Sequence, residues 1–178
     1  MILEELEKKI EQYRKLMVEM FGNIPALQNA YKPIVRQSKY IVNNLLEDFL
    51  ENYNVKYFNY YEKITFLSKE ERPNIDGYIV FAENVGSNFC YVYNPDEKGR
   101  IFCVNIDDGE YTWEAAKTYE SFFQMFIEFL DMEMTRLNGD APDLTDDGYR
   151  EYFNRCMSIV GGDKDLEEYI KFMCCIVD

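Results

Sequence analysis

The segment that most constrains this chain runs from Thr118 to Leu137. Phe122, Phe123, Phe126, Ile127, Leu130, Met134 and Leu137 recur at helical spacing, with Thr118 placed to cap the first turn and Glu120 inside it. A stripe this wide and this aromatic must pack on a large apolar surface, and the residues just before it supply one. From Val55 onward the sequence breaks into short aromatic and β-branched runs separated by Asn, Gly, Pro and Asp. These are Lys56 to Tyr61, Ile64 to Leu67, Tyr78 to Ala82, Phe89 to Tyr93, Arg100 to Ile106, and Tyr111 to Trp113. They predict strands of one sheet.

Helices precede that sheet. Ile2, Leu6, Ile10, Tyr13, Met17 and Met20 mark an amphipathic helix over residues 2 to 21, stopped by Gly22-Asn23-Ile24-Pro25. After Pro33, a second helical stripe is predicted from Ile34, Ile41, Leu45, Phe49 and Tyr53. Beyond the long helix, Asn138 to Gly148 reads as a polar linker. Two short helices follow, one through Tyr149, Tyr152, Phe153, Cys156, Met157 and Val160. The other comes after Gly161-Gly162 with Asp163 as its cap and Leu166, Tyr169, Ile170 and Met173 on its apolar side. The fold class is therefore α+β: a single antiparallel or mixed twisted sheet of about five to six strands, flanked by N-terminal helices and a long helix after the last strand, plus a C-terminal helical hairpin. Residues 1–137 form the α+β domain, and residues 138–178 an accessory hairpin packed on it.

The strongest local prediction is a hairpin from Asn88 to Ile106, turning at Asn94, Pro95, Asp96 and Gly99. A four-residue loop pairing Asn94 with Gly99 would set Cys90 opposite Cys103 and Val92 opposite Ile101. Two small apolar side chains sharing a sheet face explain that cysteine pair better than a redox bond does, although pairing of Cys90 with Cys103 stays open. The five cysteines, Cys90, Cys103, Cys156, Cys174 and Cys175, are odd in number and contain no Cys-x-x-Cys, so reduced thiols in a cytoplasmic protein are expected.

The 178 residues include 33 acidic and 19 basic groups for a net charge of −14, and no histidine. Clustered Lys and Arg are what bind phosphates, so this balance argues against a nucleic-acid partner and for a basic protein. The asymmetry is local: residues 1–60 carry 8 acidic and 8 basic groups, the rest 25 against 11. Lack of histidine removes the commonest general base, the usual triads and most zinc sites. No run of about 18 uncharged apolar residues occurs, and the N-terminus lacks the apolar core of a signal peptide, so neither membrane insertion nor ordinary export is expected. No cofactor motif is present.

Asp107, Asp108, Glu110 and Glu114 gather around the turn between the last two strands, beside Trp113, the single tryptophan. As chemistry, two carboxylates in one cleft would serve glycoside hydrolysis. Asp-Asp-Gly is equally a hairpin turn, and loop carboxylates are commonly solvated. The candidate role carried forward is contact with a basic partner, with Trp113 as anchor. Asp143-Leu-Thr-Asp-Asp-Gly opens like a calcium loop, but its twelfth position is Asn154, so the closing carboxylate is missing and Asp146-Asp147 serve as well as helix caps. Gly86-Ser87 lacks the flanking pattern of a phosphate loop and reads as a tight turn. Tyr57, Phe58, Tyr60 and Tyr61 offer stacking surface with no basic groove beside it.

Three segments together resemble the SUKH superfamily, which includes a fungal cell-wall-assembly regulator and many bacterial immunity proteins. They are Tyr78-Ile-Val-Phe-Ala-Glu-Asn-Val-Gly-Ser-Asn-Phe-Cys-Tyr-Val-Tyr-Asn, then Gly99-Arg-Ile-Phe-Cys-Val-Asn-Ile-Asp, then Thr118-Tyr-Glu-Ser-Phe-Phe-Gln-Met-Phe-Ile-Glu-Phe-Leu. The likeness covers about residues 63–130. Ile24-Pro25 and Phe49 to Asn54 only approximate the family's N-terminal pattern, and the segment after residue 140 lies outside the usual domain. The resemblance implies a non-enzymatic intracellular binding domain, most often one that neutralises a toxin encoded nearby. An adaptor regulating envelope assembly and a carboxylate-dependent hydrolase are the alternatives, and a homodimer is left open.

Overall fold

In the computed structural model the long helix, α3, spans Tyr119–Leu137, and the Thr118 hydroxyl accepts from the Ser121 amide at 3.0 Å, as its sequence demands. The structure describes residues 1–22, 33–55, 59–60, 63–84, 86–97, 99–138 and 145–176. Phe122, Phe123, Phe126 and Phe129 of α3 are all essentially buried. Truncating any of them to Ala would cost roughly 3–5 kcal/mol through lost transfer energy and a residual cavity.

The surface these rings meet is an antiparallel sheet. Its strands are β1 (Asn59–Tyr60), β2 (Ile64–Phe66), β3 (Asn74–Ile75), β4 (Tyr78–Asn84), β5 (Phe89–Tyr93), β6 (Ile101–Asn105) and β7 (Tyr111–Ala116). The order across the sheet is β1-β2-β4-β5-β6-β7, with β3 also pairing β4. Residues 56–58 and 61–62, part of the first predicted strand and of the tyrosine cluster, lie outside the described residues. Phe66, Phe81, Tyr91 and Cys103 point to the α3 side, where Phe66 meets Phe126 and Phe81 meets Phe122 with ring centroids 6.1 and 6.0 Å apart.

The N-terminal helix α1 (Ile2–Phe21) buries Leu3, Leu6, Ile10 and Tyr13 and packs on α3, where Lys9 pairs with Asp131 at 2.7 Å. The second helical prediction is corrected. Only Leu45–Asn52 (α2) is helical, capped by the Asn44 side chain accepting from Glu47 N at 2.9 Å, and Ile41 is fully exposed. Residues 33–40 run alongside α2 because two asparagines satisfy their backbone. Asn52 accepts from Tyr40 N at 2.6 Å and donates to Tyr40 O at 3.1 Å, while Asn54 accepts from Val35 N at 2.6 Å. Side-chain amides that mimic backbone partners compete with the helix in this way, and a periodicity count does not register them.

The hairpin register is also corrected. Tyr93 pairs with Ile101, Val92 with Phe102, Tyr91 with Cys103 and Cys90 with Val104, one residue off the predicted pairing. The connection holds seven residues, 94–100, because Gly99 does not pair with Asn94 but adopts φ +83° and tucks against the Thr118 backbone. A one-residue slip exchanges faces. Cys103 therefore faces the helices and Cys90 the opposite side, and both are free thiols. The β4–β5 connection is a tight turn in which Ser87 N donates to Asn84 Oδ1 at 2.7 Å.

At the C-terminus, α4 (Asp146–Ile159) packs on α3, and α5 (Glu167–Met173) on β7. Cys156, Leu166, Tyr169, Ile170 and Met173 join the same buried cluster as α3 and the sheet. Thr145 is the cap of α4, accepting from Gly148 N at 3.2 Å, while Asp146 and Asp147 sit in its first turn rather than capping it. Asn154 lies within the helix. The span that a calcium loop would need is thus mostly helix, and Asp143 lies outside the described residues. Asp163 accepts from Asp165 N at 3.0 Å and caps the turn that leads into α5.

Candidate functional site

The helices contribute to one buried cluster with one face of the sheet. The other face carries a second, smaller cluster, Val80, Cys90 and Val92, over which Leu67, Tyr78, Phe102 and Val104 lean. Among the described residues, the apolar side chains packed on this cluster come from the strands and Leu67 alone. The alternation explains it. All five residues of β5 are buried, so Cys90 and Val92 are as apolar as the core-facing Phe89, Tyr91 and Tyr93. A solvated face would alternate polar residues there.

Across this outer face runs a row of rings, Tyr78, Phe102 and Tyr111, with centroids 6.0 and 6.1 Å apart at successive steps and edge-on contacts. Together with Ile75, Val92 and Val104 they line a groove of about 300 Å³ that runs from Asp76 at the β3–β4 turn to Gly109 at the β6–β7 turn. Ile75 and Tyr111 are 47% and 62% exposed, so the apolar lining reaches solvent. Ile75 is placed by a two-residue Asp76-Gly77 turn with both φ values positive, 51° and 88°, which joins β3 to β4. Asp-Gly is the sequence such a turn favours.

Carboxylates border the groove. Asp76 lines it, Glu97 accepts from the Tyr78 hydroxyl at 3.0 Å, and Gly109 belongs to the turn holding Asp107, Asp108 and Glu110. That hydrogen bond, with lesser desolvation, pushes the Tyr78 phenol above its ordinary pKa. The acidic turn is ordered by its own side chains. Asn105 Oδ1 accepts from Asp107 N at 2.8 Å, Asp108 Oδ1 accepts from Glu110 N at 2.8 Å, and Asn88 donates to Asp107 at 2.6 Å. Asp107, Asp108 and Glu110 are exposed.

The five residues singled out in the sequence divide here. Asp107, Asp108 and Glu110 come together at the groove's end. Glu114 faces the same side, opposite Phe102, but is buried and holds Arg100 Nε at 2.7 Å, with the guanidinium 4.7 Å above the Phe102 ring. Trp113 is opposite Cys103 and faces the helices, its ring 5.4 Å from Phe89 and 5.0 Å from Phe172 of α5. It anchors the C-terminal helix and does not join the acidic turn. The aromatic residues that do accompany that turn are Tyr78, Phe102 and Tyr111. None of the three is singled out as a site residue by the sequence; the signals that could have pointed to them are the Asp76-Gly77 turn and a β5 that is apolar on both faces.

A larger depression on the helical side is lined by Gln37, Tyr40, Glu47, Glu51, Ser68, Arg72 and Tyr93. Its polar groups largely hold the fold together. Arg72 reaches Glu51 at 2.8 Å and the carbonyls of Leu50 and Leu67 at 3.0 and 3.1 Å, and Lys69 reaches Glu51 at 2.6 Å. Burial raises the Tyr93 phenol to about 12. Among the described residues, no group of three or more His, Cys, Asp or Glu is placed to hold a metal ion, and no helix is long and apolar enough to cross a membrane.

Comparisons with protein-family models, with curated proteins and with solved structures find no match to this chain.

Proposed function

We propose that this chain is a non-enzymatic protein-binding domain of the SUKH superfamily, a cytoplasmic immunity protein that neutralises a cognate toxin by covering its basic active surface. The observation that carries the reading is the outer sheet face: an apolar, aromatic-lined groove with carboxylates at its margins. Interfaces have this anatomy, with aromatic residues at a centre that becomes dry and charged residues at the rim.

The mechanism is occlusion. A net charge of −14 draws in a positively charged surface before contact, and the exposed turn at Asp107, Asp108 and Glu110 directs its approach. Apolar contacts then supply the lifetime of the complex. A toxin that acts on an anionic substrate would lose its substrate site to the same carboxylates. The test is co-expression of this chain with the product of the neighbouring upstream gene, scored for host survival and for a stoichiometric complex on purification. Survival with a complex is expected. A harmless neighbour, or a toxic one that this chain neither binds nor blocks, would overturn the reading.

A further inference from the structure

We propose that the groove on the outer sheet face receives one apolar side chain, of Leu or Phe size, from a partner segment that carries Lys or Arg on both sides of it. This rests on the protein-binding reading and specifies what the face recognises. At about 300 Å³ the groove lies at the lower end of pockets that hold small molecules. Among the described residues, Asp76 is the one charged side chain in its lining, so it lacks the several converging polar groups that orient such a ligand. The Tyr78 hydroxyl is turned to Glu97 and the Arg100 guanidinium to Glu114, so the walls offer carbon and ring surface.

Charge decides what flanks the inserted side chain. Asp76 sits at one end of the groove, and the turn bearing Asp107, Asp108 and Glu110 at the Gly109 end. Arg100, reaching the same face, is held by Glu114 and leaves the other carboxylates unneutralised by it. A segment with an acidic residue beside its apolar anchor would meet like charge at both ends. One with Lys or Arg on both sides would meet complementary charge at both.

Three short peptides probe this by amide chemical-shift titration of the intact chain: Lys-Lys-Leu-Lys-Lys, the same with Ser for Leu, and the same with Glu for each Lys. Saturable shifts at Ile75, Tyr78, Val104, Gly109 and Tyr111 are expected for the first peptide alone. Ile75→Ser and Tyr111→Ser should each weaken its binding at least tenfold. Both positions are substantially exposed, so the variants keep the fold, and unchanged shifts in α3 verify that. No shifts in the groove, equal shifts with the Ser peptide, or unaltered binding by the variants would overturn the proposal. In the co-expression assay, rescue by the intact chain and equally by both variants would refute the groove while leaving the immunity reading standing. Failure of the intact chain to rescue would refute that reading, and the peptide titration would still decide the groove.

Discussion

At the scale of single residues, Asp48 shows how one side chain holds an irregular segment in place. It receives two hydrogen bonds from Arg36, at 3.0 and 2.6 Å, and one from Asn52 at 2.6 Å, tying residues 33–40 to α2. The Arg36 bonds keep its carboxyl below the ordinary value of 3.8, against the opposing effect of burial. A carboxylate whose pKa is lower in the folded than in the unfolded chain stabilises the fold above its unfolded value and ceases to as pH falls through the native one. Asp48→Asn should therefore cost about 1 kcal/mol at neutral pH, the worth of a partly buried bidentate pair. Urea melts of the two proteins should converge as the pH drops below about 4. The thiols give a second residue-scale expectation. Cys175 is exposed and the other four are buried, with Cys156 raised in pKa by its contact with Cys174 and by burial. Iodoacetamide should add one label to the native chain, at Cys175, and five after denaturation, as read by mass spectrometry.

At the scale of elements, the helices α1 and α3 were legible because their periodicity persists over many turns. The segment before α2 was not, because Ile34 and Ile41 match a helical spacing while Asn52 and Asn54 supply the bonds that hold the chain extended there. The strands from β4 to β7 were found from composition. The register of β5 against β6 was missed by one residue because it depends on Gly99, whose backbone conformation no alternation pattern encodes. A Cβ at Gly99 would lie 3.0 Å from Thr118 Cα and 3.2 Å from the Lys117 carbonyl, at a φ of +83°. Gly99→Ala should cost ~2 kcal/mol or more, since both the conformation and the contact with backbone oppose it. Thr118→Ala removes only the cap of α3 and should cost about 1 kcal/mol. Thermal melts should rank the two in that order, and equal losses would mean that Gly99 is not held as described.

At the scale of the whole molecule, the helices all contribute to a core on one side of the sheet, and the other side keeps an apolar groove with acid at its ends. The acidic half of that face, Asp107, Asp108 and Glu110, could be read from the sequence as a turn. The apolar half could not, because it combines residues from β3, β4, β5, β6 and β7 that only the correct register brings together, and Trp113, the evident aromatic candidate, proved to face α5. Replacing Asp107, Asp108 and Glu110 together by Lys should lower the melting temperature by only a few degrees, through the lost Asn88–Asp107 and Glu110 N–Asp108 hydrogen bonds. It should also slow association with the co-purified partner by tenfold or more at low salt and flatten the salt dependence of the rate, measured by stopped flow. The measurement that goes most directly to the central claim is amide hydrogen exchange of the free chain against the purified complex. The account predicts new protection in the turns at Ile75 to Gly77 and Ile106 to Glu110, where amides are not already locked in the centre of the sheet. Protection confined to α1, α4 or α5, with both turns exchanging as in the free chain, would contradict it.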